Sequence, residues 1–196
     1  MSSTSKVRLT IEELKIMRPK KRWKIYFVIA TDDPSDPEKM LLTSMPTPYI
    51  KMKPPMDNTL NFEPEGKGTE GDGLFVLETN MPASNAINVQ VYLRHSRAIF
   101  RDAGDILQNI QTELGADAFG IIGDALGATG STWLSIAKKS APLIGGILKK
   151  IKDRDMGFVS MYEEFGPEFQ TETELDRTNK FSTGDASIVW TWSLEK

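Results

Sequence analysis

The sequence predicts a mainly β fold, an antiparallel sandwich with an amphipathic helical insertion ahead of its last strands. Three observations carry this. Short runs of β-branched and aromatic residues recur through the first half with proline and glycine between them, a helical stripe begins near Ser96, and strand texture returns at the end.

In the first half, Val7, Leu9 and Ile11 alternate with polar residues, and residues 23–30 (WKIYFVIA) form a β-branched and aromatic run whose one charged residue is Lys24. The first pattern fits a strand with one wet face; the second fits a strand buried on both faces. Further strands are expected at Pro48 to Met52, Thr59 to Phe62, Gly73 to Glu78 and Ile87 to Leu93. In the last, Ile87, Val89, Val91 and Leu93 keep a period of two. Breakers such as Pro34, Pro54 and Gly71 separate these runs without intervening helices, which favours antiparallel pairing.

From Ser96 onward, Ile99, Phe100, Ala103, Ile106, Leu107, Ile110 and Leu114 fall on one helical stripe, with Gly115 as a stop. Residues 117–152 are Gly-rich and largely apolar. Strand texture resumes at Phe158 to Phe165, and Ala186 to Leu194 sets Ile188, Trp190, Trp192 and Leu194 on one face. The expected organisation is a single domain over residues 1–196: sandwich strands at 7–95, a helical insertion at 96–153 and returning strands at 157–196. The last strand is expected to complete the early sheet.

Thr47 to Met52 resembles the start of a strand in C2-type sandwiches, and Leu74 to Leu77 followed by Val89 to Leu93 has the spacing of their later strands. The resemblance covers about residues 7–95. It implies an eight-stranded sandwich of a kind that often binds membranes or partner proteins, with calcium held between Asp-rich loops. The paired-Asp third loop of that family is not matched, because Arg94-His95-Ser96-Arg97 follows Leu93.

Composition narrows the function classes. With 196 residues, 39% hydrophobic and 26% charged, the chain is long enough and apolar enough to bury a core. The absence of cysteine removes disulfides, thiolate metal sites and cysteine nucleophiles. A net charge of -3 argues against a nucleic-acid partner. No signal-peptide pattern opens the chain, so a cytoplasmic location is expected, with export by a dedicated secretion system left open.

Chemical motifs are sparse. Gly66 to Gly71 matches G-x-G-x-x-G, but the residues after it read as a strand where a dinucleotide site needs a helix N-terminus. His95 is the only histidine and lies between Arg94 and Arg97, with no acid or nucleophile beside it in sequence. Asp32, Asp33, Asp36 and Glu38 are oxygen ligands of the type calcium takes, yet they lack EF-hand spacing, and Pro34 and Pro37 fit a solvated turn. No catalytic residue, metal or cofactor is expected, although a hydrolase without a familiar motif stays open.

Two basic features remain. Arg18, Lys20, Lys21 and Arg22 form a charged turn, either a phosphate grip or a solubilising loop. On a helical wheel from Trp133 to Lys152, Trp133, Ile136, Ile144, Ile147 and Leu148 share an apolar half, while Lys138, Lys139, Lys149 and Lys150 lie opposite. That pattern serves a helix lying in a membrane interface, or one packed on the sandwich with its lysines outward. The expected function is therefore a non-enzymatic binding protein, with a toxin-like protein as one form of it, that contacts an anionic membrane surface or a protein partner through this basic amphipathic helix. A structural or adaptor subunit of a larger assembly is the alternative, and homo-oligomerisation stays open.

Overall fold

The computed structural model of the chain describes residues 5–18, 22–52, 58–62, 73–97, 103–114, 119–122, 133–138 and 141–195. Every strand pairing among them is antiparallel.

The first sheet is built on β1 (Lys6–Ile16). One edge of β1 takes β13 (Ala186–Glu195) along its whole length, and β12 (Glu174–Lys180) lies beyond β13. The other edge takes β5 (Leu74–Asn80) and then β4 (Thr59–Asn61). The second sheet runs in the order β10 (Arg154–Ser160), β7 (Val89–His95), β2 (Trp23–Asp32), β3 (Lys39–Met52), β9 (Trp133–Ala137) and β8 (Phe119–Ile122). A short pairing joins β6 (Ala86–Ile87) to β11 (Glu163–Glu164).

The sandwich core follows from the strand period. Leu9, Ile11 and Leu14 from β1 and Ile188, Trp190, Trp192 and Leu194 from β13 meet Ile25, Phe27 and Ile29 from β2 and Val89, Val91 and Leu93 from β7. The alternate residues of β2, Tyr26, Val28 and Ala30, enter a second core on the far side of the same sheet. Two helices close that side, α1 (Ala103–Leu114) with Ile106, Leu107 and Ile110, and α2 (Ala141–Lys150) with Ile144, Ile147 and Leu148. The molecule thus has three layers, and its middle sheet is apolar on both faces. This is why residues 25–30 carry no polar alternation.

The C-terminal strand completes the early sheet as the sequence predicts, with Leu9 opposite Trp192 and Ile11 opposite Trp190. The residues carrying the C2 resemblance divide between layers, since Thr47 to Met52 and Val89 to Leu93 lie in the second sheet and Leu74 to Leu77 in the first.

One expectation is corrected. Trp133 to Lys152 is not a continuous helix: Trp133–Ala137 is a strand paired with β3, and the helix starts only at Ala141. Pro142 supplies the reason, because in a helix interior its ring would clash with the carbonyl four residues earlier, whereas in a first turn its missing N–H costs nothing. The apolar run 133–137 then takes the strand alternative that a short apolar segment always allows. The insertion is accordingly mixed, with β8 and β9 extending the second sheet. Ile99, Phe100 and the glycines at 66–71, 115, 127 and 130 lie outside the described residues.

Gly157 sits within β10 at φ 98°, where the pairing with β7 is interrupted between Asp155 and Phe158. A Cβ there would lie 2.9 Å from both Ser182 Oγ and Thr183 N. Glycine is required at this position by conformation and by space together. The close approach lets the 182–183 turn cover the outer edge of β10, with Ser182 N–H donating to Phe158 O at 2.9 Å and Thr183 Oγ1 to Met156 O at 2.7 Å. A short helix, α3 (Glu168–Thr171), brings Phe169 onto the sandwich core beside Phe165.

Candidate functional site

A concavity lies where α2 crosses β7 and β10. It has a volume of about 350 Å³ and is lined by Gln90, Tyr92, Gly145, Gly146, Leu148, Lys149, Asp155 and Phe158. Two rows of the sheet supply its base, since Phe158 stands opposite Tyr92 in register, with ring centroids 5.9 Å apart. Phe158 keeps 47% of its surface exposed. Gly145 and Gly146 form the helical wall; a Cβ on Gly145 would meet Tyr92 Cε1 only at 3.8 Å, and one on Gly146 would meet nothing. Neither glycine is needed for packing, so what the pair contributes is open space at the price of helix propensity.

The polar groups are fixed around this base. Tyr92 donates its hydroxyl to Gln90 Oε1 at 2.8 Å, and Asp155 Oδ1 accepts from Gly157 N–H at 3.0 Å. Burial, helped by the charge of Asp155, pushes the Tyr92 phenol up from its ordinary value. The groove therefore offers aromatic surface between one lysine and one aspartate.

Behind the groove, a buried polar cluster anchors α2. Arg94 is only 1% exposed, yet its Nη2 donates to Leu148 O at 2.5 Å and Asp153 O at 2.8 Å, and its Nη1 lies 3.4 Å from Asp155 Oδ1. These carbonyls belong to the last turn of α2 and the residues after it, where a helix leaves acceptors unsatisfied. A buried cation at that end also complements the helix dipole, as do the exposed Lys149 and Lys150. Asp153 accepts from Tyr26 OH at 2.7 Å and from Arg97 N–H at 3.0 Å, tying the same segment to the middle sheet.

Burial first, and the hydrogen bond to Asp153 second, hold the Tyr26 phenol far above its ordinary value. A raised folded-state value means that stability supplied by the neutral phenol is complete below the unfolded value and is lost as pH rises toward the folded one. Wild-type stability should therefore decline above about pH 10. Tyr26→Phe should lose about 1 to 3 kcal/mol at neutral pH and decline less steeply in the alkaline range. Urea melts between pH 8 and 11 measure both; equal alkaline slopes would contradict the assignment.

The sequence-predicted residues are distributed as follows. Ile144, Ile147 and Leu148 face the second core, and Lys149 and Lys150 are exposed, with Lys150 Nζ 2.7 Å from Glu113 Oε2 of α1. Lys138 pairs with Asp32 at 3.1 Å. Trp133 and Ile136 belong to β9, apart from α2, and Lys139 lies outside the described residues. In the basic turn, Arg18 reaches Asp185 at 3.1 Å and Arg22 is exposed, while Lys20 and Lys21 lie outside the described residues. Tyr92, Phe158, Gln90 and Asp155 were not singled out by the sequence; the only local signal of the groove is the Gly-Gly pair inside a helical pattern.

The remaining motifs resolve into structural contacts. His95 packs edge-on against Trp23 at 5.0 Å, and its Nδ1 accepts from Lys24 N–H at 3.1 Å. Glu163 holds Arg177 through two contacts of 3.0 and 3.1 Å. In the acidic loop, Asp33 Oδ1 accepts from Ser35 N–H at 2.9 Å, Asp36 Oδ1 accepts from Glu38 N–H at 3.0 Å, and Lys39 holds the Asp36 carboxyl below its usual range. The loop is an Asx-type turn. Among the described residues, no group of three His, Cys, Asp or Glu is placed to hold a metal, and no helix is long and apolar enough to cross a membrane.

Comparison with known proteins finds no family model that matches the chain and no curated protein that matches it.

Proposed function

We propose that this chain is a non-enzymatic binding protein whose contact surface is the exposed side of α2 with the adjoining groove, and whose partner is an acidic protein segment. The observation that carries this reading is the half-exposed Phe158 beside Tyr92 in a concavity rimmed by Lys149. Such a groove takes one apolar or aromatic side chain, and a lysine at its rim favours a carboxylate next to it. Burying the free part of Phe158 contributes on the order of 1 kcal/mol, and the lysine adds direction more than affinity.

A protein partner is favoured over a membrane by where the apolar surface lies. Ile144, Ile147 and Leu148 face the sheet, so among the described side chains of α2 the large aliphatic one left exposed for contact with acyl chains is Leu143, at 57%. Interfacial binding draws on a broad apolar face, which α2 keeps turned inward.

The test is selection of displayed random peptides on the folded chain. Enriched peptides should carry an aromatic or aliphatic residue beside Asp or Glu, and Phe158→Asp and Lys149→Glu should each weaken them about tenfold or more, the loss of roughly 1.4 kcal/mol, with unchanged melting temperature. Enriched peptides indifferent to both substitutions would overturn the reading. Co-sedimentation with anionic vesicles that Lys149→Glu with Lys150→Glu abolishes would put the membrane reading in its place.

A further inference from the structure

We infer that β12 is a self-association edge through which two copies of this chain join their first sheets across a two-fold axis. The inference is independent of the groove and rests on the register of β12.

In an antiparallel ladder, directly opposed residues alternate between pairs that exchange both backbone hydrogen bonds and pairs that exchange none. Leu194 N–H donates to Thr173 O at 2.8 Å and Phe181 N–H to Ala186 O at 2.9 Å, which fixes the phase at both ends of the β12–β13 ladder. Residues 173, 175, 177, 179 and 181 thus spend their N–H and C=O groups on β13. Those of Glu174, Asp176, Thr178 and Lys180 point the other way, to an edge that no described strand occupies. The opposite end of the second sheet is treated differently, since the 182–183 turn covers β10.

A second copy of β12 fits this edge in one register with both backbone and charge satisfied. With Arg177 opposite its own copy on the two-fold axis, Glu174 faces the partner's Lys180, and Asp176 faces the partner's Thr178. All four are residues with outward backbone groups, so the opposed pairs are the hydrogen-bonding ones. Glu174 and Lys180 also project to the same face of the sheet, where each end of the ribbon places a carboxylate against an ammonium. The like charges on the axis are compensated, because Arg177 is already held by Glu163 at 3.0 Å and Glu168 at 2.8 Å.

Charged residues on an edge strand also serve to discourage pairing with arbitrary strands. Here their order discriminates: the sequence from Glu174 to Lys180 is acidic at one end and basic at the other, so it opposes a parallel copy and accepts an antiparallel one. Lys180 N–H is engaged by the exposed Asn179 Oδ1 at 2.8 Å, a local bond that a partner carbonyl replaces.

The experiment is sedimentation equilibrium of the full chain in low salt. The wild type should approach twice the chain mass of 21.9 kDa as concentration rises. Lys180→Glu should hold it at the monomer mass, and the swap Glu174→Lys with Lys180→Glu should restore the dimer. Thr178→Pro, which removes an outward donor without touching the β13 ladder, should dissociate the dimer while leaving the thermal transition in place. A wild type that remains monomeric to about 1 mM, a Lys180→Glu variant that still dimerises, or a swap that fails to restore association would each overturn the inference.

Discussion

Trp192→Ala is expected to cost about 3 to 5 kcal/mol and to lower the melting temperature by on the order of 10 °C. The indole is fully buried, stacks edge-on against Phe165 at 5.4 Å and sits opposite Leu9 across the β1–β13 ladder. Neither of these neighbours is placed to fill the space: Phe165 is already engaged with Phe169 at 4.9 Å, and Leu9 is held by strands on both of its sides. The cavity therefore persists, and cavity volume adds to the lost transfer energy. Denaturant unfolding followed by far-UV circular dichroism gives the number. A loss below about 1 kcal/mol would show that the two sheets do not close on this side chain.

Arg94→Met should be about as damaging, at roughly 3 kcal/mol or more, by another route. Methionine fills similar volume but donates nothing, leaving Leu148 O and Asp153 O buried without their donor, each at about 1 to 3 kcal/mol. Arg94→Lys should recover little, since one ammonium cannot reproduce a planar fork that reaches both carbonyls and Asp155 together. The effect should also be localised. Amide exchange should accelerate in α2 more than in β13, because Arg94 ties the helical layer to the sheet whereas β13 belongs to the other core. Uniform acceleration, or stability within about 1 kcal/mol of wild type, would contradict that role.

The parts of this architecture that were legible in the sequence are those where burial imposes a period. The alternation at Ala186 to Leu194 and at Ile87 to Leu93 reports one buried face each, and residues 25–30, which carry no charged residue, report two. The stripe through Ile106, Leu107 and Ile110 likewise marks α1. β12 left no such mark. As an exposed edge strand reading ELDRTNK, it is held by backbone pairing to β13, which composition does not record. Trp133–Ala137 misled because five apolar-rich residues fit either period, and the deciding fact is the neighbouring β3. The amphipathicity of α2 was readable, but the surface that covers its apolar half was not. The groove was the least legible, since Tyr92 and Phe158 meet only through strand register.

The pairing of β1 with β13 also has a temporal side. β1 is the first described strand to leave the ribosome and β13 the last, so the first sheet cannot close until residues 186–195 have been made. The β2–β3 ladder, by contrast, joins neighbours in sequence and can form early. During that interval β1 has β4 and β5 on one edge and nothing on the edge that β13 takes, and the part of the middle sheet's sandwich face that β13 covers stays open. Closing so long a loop adds little to the equilibrium cost, because the entropy grows only with the logarithm of length, but it delays the encounter. The first sheet is thus most exposed to aggregation just before β13 arrives, which makes the rate of synthesis through residues 160–195 a determinant of yield.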